Sequence, residues 1–168
     1  MSLHIPTLSF NAKPGDLIEI DRGMYQHWAL YIGGMEVVHL TTPSSSGFAL
    51  MVLDSPIGKV KREKIWEVVS NDSFKVNNLL DYKHQPHESY IIVKEACSMV
   101  GLELPYSIFT KNCEHFVTDL RYGKPESRQV GILWLLYFCL QDCLKGQFTL
   151  KSKIHIFPLI CSRAVIGP

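Results

Sequence analysis

The chain predicts an α+β fold, an antiparallel sheet packed on helices, and three observations carry that expectation. Strand-like apolar runs separated by turns dominate residues 17 to 64, helical periodicity is clearest after residue 88, and Asp81 to Pro86 reads as a linker between the two halves.

The elements follow in order. Leu17 to Ile20 is the first expected strand, then Ala29 to Ile32 and Glu36 to Leu40, joined by a glycine turn at Gly33-Gly34. The Ser/Pro stretch from Pro43 to Ser46 is expected to form a mobile loop near the site. Phe48 to Leu53 and Lys59 to Lys64 are expected to add strands, and Ile65 to Val69 a short helix. Ser89 to Val100 is the clearest helix, because Ile92, Ala96, Met99 and Val100 fall on one face and Gly101 supplies a stop. A last helix starts near Cys113, where Phe116, Val117 and Leu120 follow at offsets of three, four and seven.

At 168 residues, with 17 basic and 16 acidic side chains, the chain holds one core of ordinary size and has no basic footprint for nucleic acid. Its five cysteines form no Cys-x-x-Cys pair, which suits a reducing compartment better than a disulfide framework. No secretory signal pattern is visible, and Cys113 with His115 lacks the further ligands of a zinc site, so neither metal nor cofactor is expected.

Cys113 carries the chemistry. A cysteine on an apolar stripe is by default a core residue, but at a helix N-terminus free N–H groups and the helix dipole favour a thiolate. Asn112 is expected to cap that helix. The hairpin adds His27 and His39. Side chains alternate along a strand, so a two-residue turn would put His27 on the face opposite His39, whereas a three-residue turn through Met35 would pair Ala29 with His39 and leave His27 a diagonal neighbour on the same face. The three-residue form, with a glycine at the bulge, is the expectation here. Cysteine with two histidines then forms a nucleophile, a base and an orienting group. His115 lies about 200 degrees round the helix from Cys113, so it and Glu114 are assigned to solvent or helix-end contacts. His4, His84, His87 and His155 have no paired chemistry and are assigned to the surface.

The motifs Tyr25-x-His27-Trp28-Ala29, Val37-Val38-His39-Leu40 and Asn112-Cys113-Glu114-His115-Phe116-Val117, followed by Leu120-Arg121-Tyr122-Gly123, resemble the lecithin:retinol acyltransferase-like family. Within it they are most similar to the HRAS-like suppressor branch, the small phospholipase A and acyltransferase enzymes. The resemblance spans roughly residues 13 to 130, opening at Lys13-Pro14-Gly15-Asp16. It implies a circularly permuted papain-like thiol-enzyme fold, with Cys113 as the acyl-accepting nucleophile, His27 as base and His39 as the third member. Tyr25 is implied as an oxyanion donor beside the Cys113 N–H, and Arg22 as a phosphate contact, with a surface pair to Asp21 equally open. The implied reaction moves an acyl group from a glycerophospholipid, without calcium, to water, to the amine of phosphatidylethanolamine or to a lysophospholipid. Retinol esterification, peptide hydrolysis and a non-catalytic interaction module regulating a signalling or trafficking partner remain alternatives.

The domain reading is an N-terminal extension at 1–12, a catalytic domain at 13–130 and a divergent apolar tail at 131–168. Ile132 to Leu140 is nine apolar residues, short of the roughly 20 needed to span a bilayer, so interfacial anchoring on a cytoplasmic membrane surface is expected. Two smaller departures stand out. The turn reads Gly33-Gly34-Met35 where the family tends to Gly-Asp-Gly, and Leu79 follows Asn77-Asn78 where lysine is usual.

Overall fold

A computed structural model describes residues 11–23, 25–42, 57–107 and 109–130. The chain divides into two compact units, Met1–Ser127 and Arg128–Pro168, and all elements below belong to the first. The loop expected at 43–46, the strand expected at 48–53 and the apolar tail lie outside the described residues.

Among the described residues the unit is α+β. Strands β1 (Leu17–Asp21), β2 (Gln26–Gly33), β3 (Glu36–Thr41) and β4 (Ile57–Lys64) precede helix α1 (Ile65–Val69), strand β5 (Phe74–Val76), helix α2 (Ser89–Ser98), strand β6 (Glu103–Pro105) and helix α3 (Cys113–Tyr122). The sheet is antiparallel throughout, in the order β5-β1-β2-β3-β4-β6. β5 and β6 escape sequence reading because three residues are too few to display an alternation.

Both faces of the central strands are covered, which is why they read as continuous apolar runs. Leu17, Trp28, Leu30, Val38 and Leu40 pack with Ile92 and Ala96 of α2 and with Cys113, Phe116, Val117 and Leu120 of α3. The opposite face, through Ile18, Ile20, Ala29, Tyr31 and Val37, packs on Ile65, Val68 and Val69 of α1. Fully burying one such side chain is worth about 1.5–3 kcal/mol. α2 ends at Ser98, two residues before the expected boundary, and Val100 is exposed rather than on the packed face.

The Leu120-Arg121-Tyr122-Gly123 run is a latch. Arg121 donates from Nε and Nη2 to the Asp81 carboxylate at 3.1 and 2.9 Å, and from Nη1 to the Gly15 carbonyl at 2.7 Å. The Tyr122 hydroxyl donates to Asp81 Oδ1 at 2.8 Å, so the linker between the halves is fixed to α3. Gly123 closes the helix in the left-handed region at φ 65°, where its N–H bonds Asp119 O. Asn78 ties the sheet edge by accepting from Leu17 N–H and donating to Asp16, both at 2.9 Å. Leu79, the departure beside it, is buried in the core that includes Leu80 and Tyr122.

Candidate active site

The hairpin reaches the expected histidine register by another route. Gly33 pairs with Glu36, so the turn is the two-residue Gly34-Met35, with both residues at φ 60°. An irregularity between Tyr31 and Gly33 then absorbs one residue on β2, and the ladder continues as Tyr31↔Val37 and Leu30↔Val38. Extended one step past Leu30↔Val38, this register would set Ala29 opposite His39, with His27 diagonal to it. The rings meet edge to face, with centroids 5.0 Å apart and planes at 82°, and His27 Nε2 lies 2.8 Å from His39 Nδ1.

Cys113 opens α3 as its first helical residue. Asn112 is the cap: its Oδ1 accepts the backbone N–H groups of Glu114 and His115, each at 3.0 Å. The His115 ring folds back to the Asn112 backbone N–H at 3.3 Å, a capping box with histidine in the usual place of glutamate. That is the expected helix-end contact. Glu114 departs from its assignment to solvent: it is fully buried, and its Oε2 accepts the Ser127 hydroxyl at 2.5 Å. Such burial follows from the helix lying against both the sheet and the 126–127 segment, since Thr118 also bonds Glu126 backbone. His84 departs too, being half-buried and bonded through Nε2 to Glu126 at 2.8 Å.

The Cys113 thiol points at the Gln26 carbonyl, 3.9 Å away, one residue before His27. The backbone N–H of Trp28 also reaches the sulfur. Because Tyr25 and Tyr31 exchange backbone bonds with the β1 side, the Gln26 O and Trp28 N–H face the β3 side. The β2–β3 pairing runs from Gly33↔Glu36 to Leu30↔Val38, and the sulfur lies against β2 beyond that stretch, at Gln26 O.

Electrostatics there run against the sequence expectation. N–H groups of Trp28, Glu114 and Cys113 favour the thiolate, but burial outweighs them, the Glu114 charge adds to it, and the thiol is pushed up from 9.0 to about 12. The helix terminus therefore offsets only part of the desolvation. Burial, helped by His39 and Arg22, holds His27 well below its ordinary 6.5. Burial also lowers His39, outweighing the Glu63 carboxylate that draws it upward. The thiol and the His27 imidazole are therefore both neutral at rest.

A cleft of about 220 Å³ is lined by Arg22, Tyr25, His27, His39, Glu63 and Tyr106, together with Lys61 and parts of β3 and α1. Cys113 is 4 % exposed and is not among the lining residues. Burial raises both Tyr25, against the opposing pull of the Arg22 charge, and Tyr106, so both hydroxyls stay protonated donors. Arg22 does not pair with Asp21. Its guanidinium bonds the Asp72 carboxylate and the Val68 carbonyl, while Asp21 accepts the Gly23 N–H at 2.8 Å. This follows from the local turn, which curls Asp21 onto its own backbone and leaves Arg22 facing α1.

Two site residues were not found by sequence reading. Tyr106 follows Pro105 in a segment whose spacing marks no chemistry. Glu63 accepts from His39 Nε2 at 2.6 Å. It sits among charged residues of β4, and only the register makes it notable: Lys61 pairs with His39, so Glu63, two residues on, is its diagonal neighbour on the same face.

The fold is an antiparallel sheet carrying a buried helix-start thiol and a bonded histidine pair, and comparison with known proteins says which family builds it. The lecithin retinol acyltransferase family profile matches residues 10–126, and the chain belongs to that family. It is 49 % identical over 125 residues to human phospholipase A and acyltransferase 4, covering 70 % of this chain and 74 % of that protein. It is 43 % identical over 122 residues to the mouse phospholipase A and acyltransferase 3, covering 70 % and 75 %. Human phospholipase A and acyltransferase 2 is 48 % identical over 120 residues, covering 69 % and 74 %.

Proposed function

We propose that this chain is a thiol phospholipase A and acyltransferase in which Cys113 carries the acyl group. The observation that carries the reading is the His27 Nε2–His39 Nδ1 contact of 2.8 Å at the end of β2 where the Cys113 sulfur is seated, on a chain similar to proteins named for that activity. The chain order His, His, Cys, with the nucleophile at a helix start packed on an antiparallel sheet, supports a circularly permuted papain-like fold.

Neutral His27 takes the thiol proton as sulfur attacks a glycerophospholipid ester carbonyl. The tetrahedral oxyanion receives hydrogen bonds from the Cys113 N–H, which Asn112 leaves free of its cap, and from the Tyr25 hydroxyl. The C–O bond breaks, His27 returns the proton to the leaving alkoxide, and lysophospholipid departs from a Cys113 thioester. Water, the amine of phosphatidylethanolamine or a lysolipid hydroxyl then attacks the thioester carbonyl, giving its proton to His27, and the C–S bond breaks as His27 returns that proton to sulfur, restoring the neutral thiol. Arg22 and Lys61 put positive charge on the cleft wall for the lipid phosphate.

The domain spans residues 13–130, after an extension at 1–12. The segment 131–168 is proposed to hold the enzyme on the cytoplasmic face of a membrane. Among the described residues no helix is long and apolar enough to cross a membrane.

The test is incubation of the full chain with phosphatidylcholine and phosphatidylethanolamine vesicles in excess chelator, following fatty acid, lysolipid and N-acyl product. Product at the same rate with and without calcium is expected, along with at least a thousandfold loss in Cys113→Ser. Equal activity in Cys113→Ser would overturn the mechanism.

A further inference from the structure

The hydrogen-bond chain does not end at His39. It runs His27 Nε2 to His39 Nδ1 at 2.8 Å, and His39 Nε2 to Glu63 Oε2 at 2.6 Å. A carboxylate only accepts, so the proton on that last bond belongs to His39 Nε2. A neutral imidazole has one N–H, and His39 Nδ1 is then a bare acceptor. The bond to His27 must therefore be donated by His27 Nε2–H. By the same count His27 Nδ1 is the unprotonated nitrogen, the one not engaged by His39. Each assignment forces the next.

We propose that Glu63 is the positioning residue of this site, fixing the tautomers of both histidines so that His27 presents a bare Nδ1 to the Cys113 thiol. The inference rests on the thiol mechanism above. Geometry gives it a second support. His39 is 4 % exposed and β4 holds Glu63 diagonal to it, so the carboxylate bonds an imidazole that has little competing water. Without Glu63, His39 is free to carry its proton on Nδ1. Two ring N–H groups would then face each other, unless His27 shifted its proton to Nδ1, where it would no longer accept from sulfur.

When His27 receives the thiol proton it becomes an imidazolium, and its Nε2–H still points at the bare Nδ1 of His39. No proton needs to move along the chain. Glu63 instead places a negative charge two groups away from the cation. The other charged or titratable groups acting on His39 are His27 from β2, Lys61 from β4 and Arg22 from the end of β1. Lys61 also lies 3.7 Å from Glu63 and partly balances it.

Two arms test this. Long-range 1H–15N spectra of the resting full chain are expected to show Nε2 protonated and Nδ1 bare on both rings at neutral pH. A protonated His39 Nδ1 would overturn the proposal whatever the activity. Kinetically, Glu63→Leu is expected to lower kcat about tenfold to a hundredfold with KM little changed, since the substrate does not depend on the tautomer. Glu63→Gln, which keeps a carbonyl acceptor for His39 Nε2–H, recovers most of that loss. A folded Glu63→Leu with kcat within twofold of the parent would sink the idea, as would a kcat loss that Glu63→Gln does not lessen. Failure of the thiol reading itself would appear separately, as activity retained in Cys113→Ser.

Discussion

At the scale of single residues, the thiol was legible and its ionisation was not. The stripe of Phe116, Val117 and Leu120 announced that Cys113 points inward, yet the helix-terminus argument that made it a nucleophile also suggested a thiolate. Desolvation decides the matter: ionisation suppressed from 9.0 to about 12 is a thousandfold, or about 4 kcal/mol against the charged form, more than nearby N–H groups restore. In the mechanism proposed above, proton removal therefore accompanies attack, with neutral His27 as the acceptor. It follows that iodoacetamide will alkylate Cys113 slowly, at a rate rising about tenfold per pH unit from pH 7 to pH 9. Peptide mass analysis separates this site from the other free thiol among the described residues, Cys97. A rate already on a plateau at pH 7 would reveal a preformed thiolate and contradict the burial argument.

At the scale of elements, the hairpin shows how a correct register can rest on an unforeseen device. Counting residues gives only the sum of turn length and bulge, and a three-residue turn or a two-residue turn with one bulged residue place His39 identically. The structure uses the second, at the cost of putting Met35 in the left-handed region at φ 60°. A side chain there is strained by about 1–2 kcal/mol. Glycine removes that strain and adds about 0.4–1 kcal/mol of unfolded-state entropy. Met35→Gly is expected to stabilise the chain by about 0.5–1 kcal/mol in urea denaturation, with kcat unaltered because the ladder from Tyr31↔Val37 onward is unchanged. Destabilisation would mean that packing of the Met35 side chain matters more than backbone strain, since glycine keeps the backbone N–H that reaches the Tyr31 hydroxyl.

At the scale of the whole molecule, local signals named the central strands, the helices and the thiol–histidine set. What they could not name depends on pairing between distant segments. Glu63 looks like one charge among several until β4 registers with β3, and Glu114 looks solvated until α3 is seen packed beside Ser127. The same long-range burial makes the site a determinant of acid stability. His27 and His39 have folded pKa values below the 6.5 of the exposed ring, so below pH 6.5 the unfolded chain binds protons that the folded chain refuses. Stability is then complete above pH 6.5 and declines as pH falls, by up to about 1.4 kcal/mol per pH unit for each ring while the folded state holds it neutral. Carboxylates do not confuse this window, since Glu36 and Glu126 are lowered from 4.5 and lose their contribution only below it. The unfolding midpoint is therefore expected to be flat between pH 7 and pH 8 and to drop steadily from pH 6.5 to pH 5. His27→Gln should flatten that slope, whatever it does to stability at pH 8, because it removes one of the rings that charge on unfolding. A midpoint unchanged down to pH 5 would mean that the rings protonate in the folded site, and that the neutral thiol–imidazole pair is not its resting state.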